Sequence, residues 1–283
     1  MPLPPRHPAT ANYLPLVRAV SRGLRERGGV REGDHLVIAC SGGADSVALL
    51  RALHLLHSRR KWNLSLTVAH VQHHLRPPEA AEGDAVFVAA LAERLGLPYR
   101  RRDIRPGGEP GNVEANAREL RYAALAETAR EVGAGFVVTA HHADDQLETL
   151  LMAILRGTTA KGLRGIAWQR PLGDASSGGG ARSGGEADSG GVVTSGGVML
   201  LRPMLGATHD DAVALLEHLD QPWREDATNS DRSRTRARLR HEVLPVLREL
   251  RPSVARKAVE LGDSLREGIE SPRGQGAKEG KNP

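Results

Sequence analysis

Two short polar runs in this 283-residue sequence bring together residue types able to do chemistry. The first, Ser41-Gly42-Gly43-Ala44-Asp45-Ser46, follows the apolar run HLVIAC (35–40) and precedes a helical pattern. Its glycines permit a sharp turn, and the N–H groups of such a turn and of the helix start behind it attract anions, phosphates above all. The Ser41 and Ser46 hydroxyls add donors, and Asp45 adds a carboxylate. The second run, His141-His142-Ala143-Asp144-Asp145-Gln146-Leu147-Glu148-Thr149, ends the apolar run GFVVTAH (135–141) and opens a helix whose apolar face is Leu147, Leu150, Leu151 and Ile154. Asp144 and Glu148 stand four apart and Asp145 and Glu148 three apart, so their carboxylates share one face of the first turn. Acids also cap helix starts, but capping does not require two histidines and three acids. Such oxygen ligands suit Mg²⁺ held jointly with nucleotide phosphates. An acidic pocket of this kind also suits a cationic amine.

Two arginine patterns accompany these runs. In ANARELRYAAL (115–125), Arg118 and Arg121 share a helical face, which is ordinary surface chemistry and equally a means of offsetting charge on a transferring group. Further on, Arg232, Arg236 and Arg240 form an i,i+4 stripe that could bind the phosphates of a polyanion.

The elements that must position these residues read as an α/β chain. Runs 35–40, 64–71, 97–104 and 135–141 have strand character, with helical patterns at 44–58, 79–95 and 113–132 between them. This alternation predicts a Rossmann-like parallel sheet with helices on both faces, followed by a small helical subdomain. Ligands of such sheets sit outside the carboxyl ends of the strands, which is where both polar runs fall. The expected organisation is an N-terminal helical extension over 1–30 and a catalytic domain over 31–205. Within that domain, a Gly/Ser-rich insertion at about 173–197 is too poor in large apolar residues to fold alone. A helical subdomain over 206–270 and a flexible tail over 271–283 complete the expectation.

Composition narrows the function. The formal charge is +5, and of 39 basic residues 34 are arginine, which suits a polyanionic partner. With eight aromatic residues in all, base contacts must lean on arginine rather than stacking. The single cysteine, Cys40, excludes an intramolecular disulfide, a four-thiolate zinc site and an iron–sulfur cluster held by this chain alone. No leader or membrane-spanning run is visible, so a cytoplasmic protein without membrane attachment is expected.

The glycine turn matches neither G-x-x-x-x-G-K-S/T nor G-x-G-x-x-G, which disfavours standard kinase or GTPase chemistry. The order S-G-G-x-D-S resembles the pyrophosphate (PP) loop of the N-type ATP pyrophosphatases. Adding HHLRPPEA (73–80), ANARELRYAAL, HHADDQLETLLMAILRGT (141–158), GLRGI (162–166), LLRPML (200–205) and PWREDATNSD followed by RARLRHEVLPVL, the chain from about Asp34 to Leu250 resembles the tRNA(Ile)-lysidine synthetase family. The resemblance implies the PP-loop ATPase fold and an ATP- and Mg²⁺-dependent ligase. Its substrates would be L-lysine and a tRNA(Ile) with a CAU anticodon, whose wobble cytidine is adenylated at C2 and then joined to lysine, with AMP and pyrophosphate released.

Under that resemblance Ser41 to Ser46 bind the nucleotide, Asp45 and Asp145 hold the metal, and Asp45, Arg118, Arg121, His141, Asp145 and Glu148 serve catalysis. Asp144 and Glu148 recognise lysine, and Arg232, Arg236 and Arg240 contact tRNA. Family members commonly carry a further C-terminal tRNA-binding domain, and a homodimer is one open assembly. Another PP-loop tRNA-modifying enzyme, such as a thiolase, and a catalytically inactive tRNA-binding homologue are the alternatives; the lone Cys40 argues against thiolation.

Overall fold

The structure, a computed structural model, describes residues 14–57, 61–73, 78–107, 113–172, 197–225 and 235–270. Residues 173–196 of the Gly/Ser run, Arg232 of the arginine stripe and the tail at 271–283 lie outside the described residues.

Six strands form one sheet in the order β3-β2-β1-β4-β6-β5. They are β1 (His35–Ala39), β2 (Ser65–Gln72), β3 (Tyr99–Asp103), β4 (Phe136–Val138), β5 (Gln169–Leu172) and β6 (Val198–Leu201). The expected parallel arrangement holds for β3, β2, β1, β4 and β6. The exception is β5, an antiparallel edge strand on β6 that the periodicity does not reveal. Its sequence, QRPL, is short and polar, and Pro171 lacks the N–H that a central strand needs, so only an edge position accepts it.

The strands are nearly continuous apolar runs because both faces are covered. Leu36, Ile38, Val68, Val138 and Leu201 face the larger core, formed with α1 (Pro15–Arg22), α2 (Ala44–His57), α3 (Pro78–Arg94) and α6 (His209–His218). Val37, Ala69, Val137 and Leu200 face Tyr122, Leu125, Ala126 and Ala129 of α4 (Val113–Glu131). The N-terminal segment and the start of the region expected to be a helical subdomain thus pack with the sheet: Leu16, Val17 and Val20 of α1 and Ala212, Leu215 and Leu216 of α6 share its larger core.

Helix α1 runs on into a π turn, Gly23–Arg27. A Cβ at Gly23 would lie 2.5 Å from the Pro203 carbonyl oxygen and 2.9 Å from its Cα, backbone atoms that cannot swing away. Gly23→Ala is expected to destabilise the fold by about 2 kcal/mol, read as a fall in Tm of roughly 4–8 °C.

A smaller core joins α5 (Ala143–Leu155) to a π turn (Leu239–Val243), which continues the short exposed helix α7 (Thr235–Arg238), and to α8 (Leu244–Leu250) and α9 (Val254–Glu270). Gln146, fully buried on α5, accepts the Ile166 N–H at 2.6 Å and donates to the Arg164 carbonyl at 3.2 Å, fastening the 162–166 turn to the helix. No helix of the described residues is long and apolar enough to cross a membrane.

Candidate active site

Strand order reverses at β1, which has β2 on one side and β4 on the other. Ligands of doubly wound sheets collect at the carboxyl side of this point, and the two polar runs leave β1 and β4 there. A cleft of about 800 Å³ opens between them, lined by Ser41, Asp45, His141, Asp145, Glu148 and Arg240 among others.

The glycine turn is held by its own hydroxyls. Ser46 Oγ donates to the Gly43 carbonyl at 2.9 Å and accepts the Ser41 N–H at 3.2 Å, while Ser41 Oγ accepts the Gly43 N–H at 3.4 Å. Gly42 has φ +97°, a conformation that favours glycine, and its carbonyl accepts the Arg224 N–H at 2.9 Å. Ser46 is therefore a buried brace of the turn, and it lines the cleft with Ser41 and Gly43.

Asp45, at the start of α2, joins the two runs. Its Oδ1 accepts from His209 Nδ1 at 2.8 Å and its Oδ2 lies 3.4 Å from His142 Nε2. Burial opposes ionisation of Asp45, but hydrogen bonds and positive charge from His142 and His209 prevail and hold its pKa below the ordinary carboxylate range. The Asp145 carboxylate accepts the His142 backbone N–H at 3.0 Å, and its Oδ2 lies 3.6 Å from the same His142 Nε2. Asp45 and Asp145 thus both approach the His142 Nε2 from the cleft side, each lining the cleft. Two carboxylates presented to a phosphate loop in this way fit Mg²⁺, which takes one or two protein carboxylates together with nucleotide oxygens.

His142 is buried, and burial alone would depress its pKa; the carboxylates of Asp145, Asp45 and Asp144 outweigh this and push it up to about 9. A pKa raised above the ordinary histidine value of about 6.5 contributes stability that is complete below that pH and is lost as pH rises through about 9. Urea unfolding is therefore expected to show stability falling by up to about 3 kcal/mol between pH 6.5 and 9.5, a slope that His142→Gln reduces to the part carried by His209, whose pKa Asp45 also raises. His141 behaves oppositely: burial, and then the positive charge of Arg202, Arg118 and Arg121, keep it neutral despite Asp145, and its Nδ1 pairs with Thr139 Oγ1 at 3.0 Å.

The other acids have partners already. Glu148, 1% exposed, takes Arg240 in a two-pronged ion pair, Nε to Oε1 at 2.6 Å and Nη2 to Oε2 at 3.0 Å, with Arg236 at 3.5 Å. Asp144 takes Arg248 at 2.8 Å and the His209 backbone N–H at 2.8 Å. Of the arginine stripe, Arg240 reaches over Glu148 at the cleft while its side chain stays 42% exposed, and Leu239 and Leu244 beside it pack against α5. Arg121 lines the cleft, and Arg118 lies 5.4 Å from the Tyr122 ring on the same helix.

A family model described as PP-loop domain matches residues 16–247. A curated tRNA(Ile)-lysidine synthase of Synechococcus sp. is 33% identical over 253 residues, 89% of this chain and 69% of that protein. The chain belongs to the tRNA(Ile)-lysidine synthase family of PP-loop proteins. The family's enzyme of Symbiobacterium thermophilum is 36% identical over 90% of this chain, which spans about half (48%) of that relative's length. The solved U34-tRNA thiolase NcsA from Methanococcus maripaludis, with its 4Fe–4S cluster, covers 90% of this chain and 80% of its own at TM-score 0.61 and 16% identity, a likeness of fold.

Three features of this lysidine synthase relative escape the sequence reading. His209, which grips Asp45, starts α6 behind Thr208, whose hydroxyl accepts the Asp211 N–H; that capping pattern is the available signal. Arg224 closes residues 222–225 over the glycine turn, bonding Asp84 at 3.1 Å with its side chain. Arg248 neutralises Asp144 from α8.

Proposed function

We propose that this chain adenylates the C2 carbonyl oxygen of the wobble cytidine in a tRNA(Ile) CAU anticodon and then joins lysine at that carbon. The observation that carries this reading is the junction of the glycine turn and the acidic cluster through Asp45 and His142, 3.4 Å apart, in a cleft large enough for a nucleotide. The Ser41–Ser46 turn binds the phosphates of ATP through its N–H groups, and Asp45 and Asp145 are the residues that would hold Mg²⁺, which offsets phosphate charge when bound. The cytidine oxygen forms a bond to the α-phosphorus as pyrophosphate departs, with Arg121 and Arg118 offsetting negative charge. The lysine ε-nitrogen, as free amine, then bonds to C2, and AMP leaves with the oxygen.

His141 lines the cleft, but the burial and arginine charge that push its pKa down to about 3 make it a weak base, so it is not assigned the amine proton, which leaves with AMP or to water. Lysine recognition rests on Glu148 and Asp144, which would exchange an arginine partner, Arg240 or Arg248, for the ammonium group. The lone Cys40 supports ligation over thiolation: burial pushes its thiol up to about 11, leaving no thiolate to carry sulfur.

Among the described residues of the stripe, Arg236, more than half exposed and loosely held, is the one assigned to RNA phosphate. Arg236→Ala is expected to reduce the slope of log affinity against log salt for tRNA by about one unit, measured by filter binding. The reading itself is tested with α-labelled ATP, Mg²⁺ and the tRNA in the absence of lysine: label is expected on the RNA, released as AMP when lysine is added. Pyrophosphate release without RNA labelling would contradict it.

A further inference from the structure

We propose that Asp45, His142 and His209 form a binding site for a divalent transition ion of the zinc class. One ligand atom from each of the three lies within 4.8 Å of the other two. Asp45 Oδ1 is 2.8 Å from His209 Nδ1, and Asp45 Oδ2 is 3.4 Å from His142 Nε2. Tetrahedral ligands at about 2.1 Å from zinc stand about 3.4 Å from one another, a spacing within the 4.8 Å that bounds these three ligand atoms. The two rings are tilted by 48° with centroids 5.9 Å apart, which allows both nitrogens to aim at one point.

The surroundings resemble those of a metal-binding imidazole. Zinc-bound histidines present their second ring nitrogen to a carboxylate, which fixes the tautomer and strengthens the ligand. His142, 5% exposed, has its Nδ1 3.5 Å from Asp144 Oδ2, and Asp144 is itself held by Arg248 and the His209 backbone N–H. That Nδ1 makes no hydrogen bond of its own. His209 is partly exposed, giving the ion a route in, and a fourth position faces Asp145, whose Oδ2 is 3.6 Å from His142 Nε2.

The donor set decides which ion fits. Two nitrogens and a carboxylate suit zinc, cobalt or nickel, whereas Mg²⁺ requires oxygen and retains water. A bound transition ion ties down the Asp45 carboxylate that the proposed nucleotide complex needs, so this site makes the cleft sensitive to inhibition by such ions.

Co²⁺ serves as the probe, titrated into the full chain without nucleotide or RNA, so that the outcome is independent of the ligase reading. One equivalent is expected to bind with the intense visible absorption of four- or five-coordinate cobalt and to be displaced by Zn²⁺. His209→Ala is expected to abolish the band and weaken binding more than about tenfold, with His209→Gln as the variant of similar volume should alanine disturb the start of α6. A double His54→Ala, His57→Ala variant, which removes the ring pair at the far end of α2, is expected to keep the band. Absence of the band, or a band of equal strength and affinity in both His209 variants, overturns the proposal.

Discussion

Asp45→Ala is expected to lower adenylation of the RNA at least about a thousandfold while the chain remains folded, as read by RNA labelling alongside circular dichroism. The size follows from two losses at once. Asp45 is one of the two carboxylates that approach His142 beside the phosphate loop, and its hydrogen bond to His209 holds α6 against that loop. Removing one preorganised electrostatic element of this kind costs about 10²–10³ in rate, and here the charge balance of His142 changes too. The fold is expected to survive because Asp45 is about one-third exposed and His142 keeps Asp145 at 3.6 Å and Asp144 at 3.5 Å. Asp45→Asn, which preserves volume and removes charge, should lose nearly as much. Activity in both variants within tenfold of the unsubstituted chain would remove Asp45 from the mechanism.

Glu148→Ala should lower kcat/KM for lysine by about 10²–10³, a loss of roughly 3–4 kcal/mol, with adenylation less affected. Glu148 is buried and meets Arg240 through two charge-assisted hydrogen bonds, the arrangement with greatest geometric selectivity for a cation. Deleting it also leaves the half-exposed Arg240 with only Asp145, at 3.5 Å, a stability cost of about 1–3 kcal/mol once solvent access is allowed for. Glu148→Gln separates the two roles, since it retains the shape of the site but not the charge that an ammonium group requires. A parallel fall in adenylation and lysine transfer would assign Glu148 to the scaffold; a fall confined to lysine transfer supports recognition.

The sheet was legible because its strands are apolar on both faces and its helices have regular spacing, as in HLVIAC and GFVVTAH. The PP-loop and the acidic run were legible because each is local: all its residues lie within ten positions. Strand β5 was not, since QRPL owes its conformation to pairing with β6 rather than to its own residues. The partner of Asp45 was equally hidden. His209 is 164 residues away and reaches the carboxylate because α6 packs on α2, a tertiary fact that no periodicity encodes. Arg240 shows the converse: an i,i+4 stripe reads as one solvent-facing surface, yet Arg236 and Arg240 both reach the buried Glu148 of α5, a contact set by tertiary packing.

The most direct measurement is incorporation of labelled lysine into a tRNA(Ile) transcript bearing CAU, incubated with the full chain, ATP and Mg²⁺. One lysine per RNA is expected, at the wobble cytidine, with one AMP and one pyrophosphate released for each. ATP-dependent modification of this position without lysine, or no label in the RNA when the protein is folded and binds the transcript, would contradict the assignment.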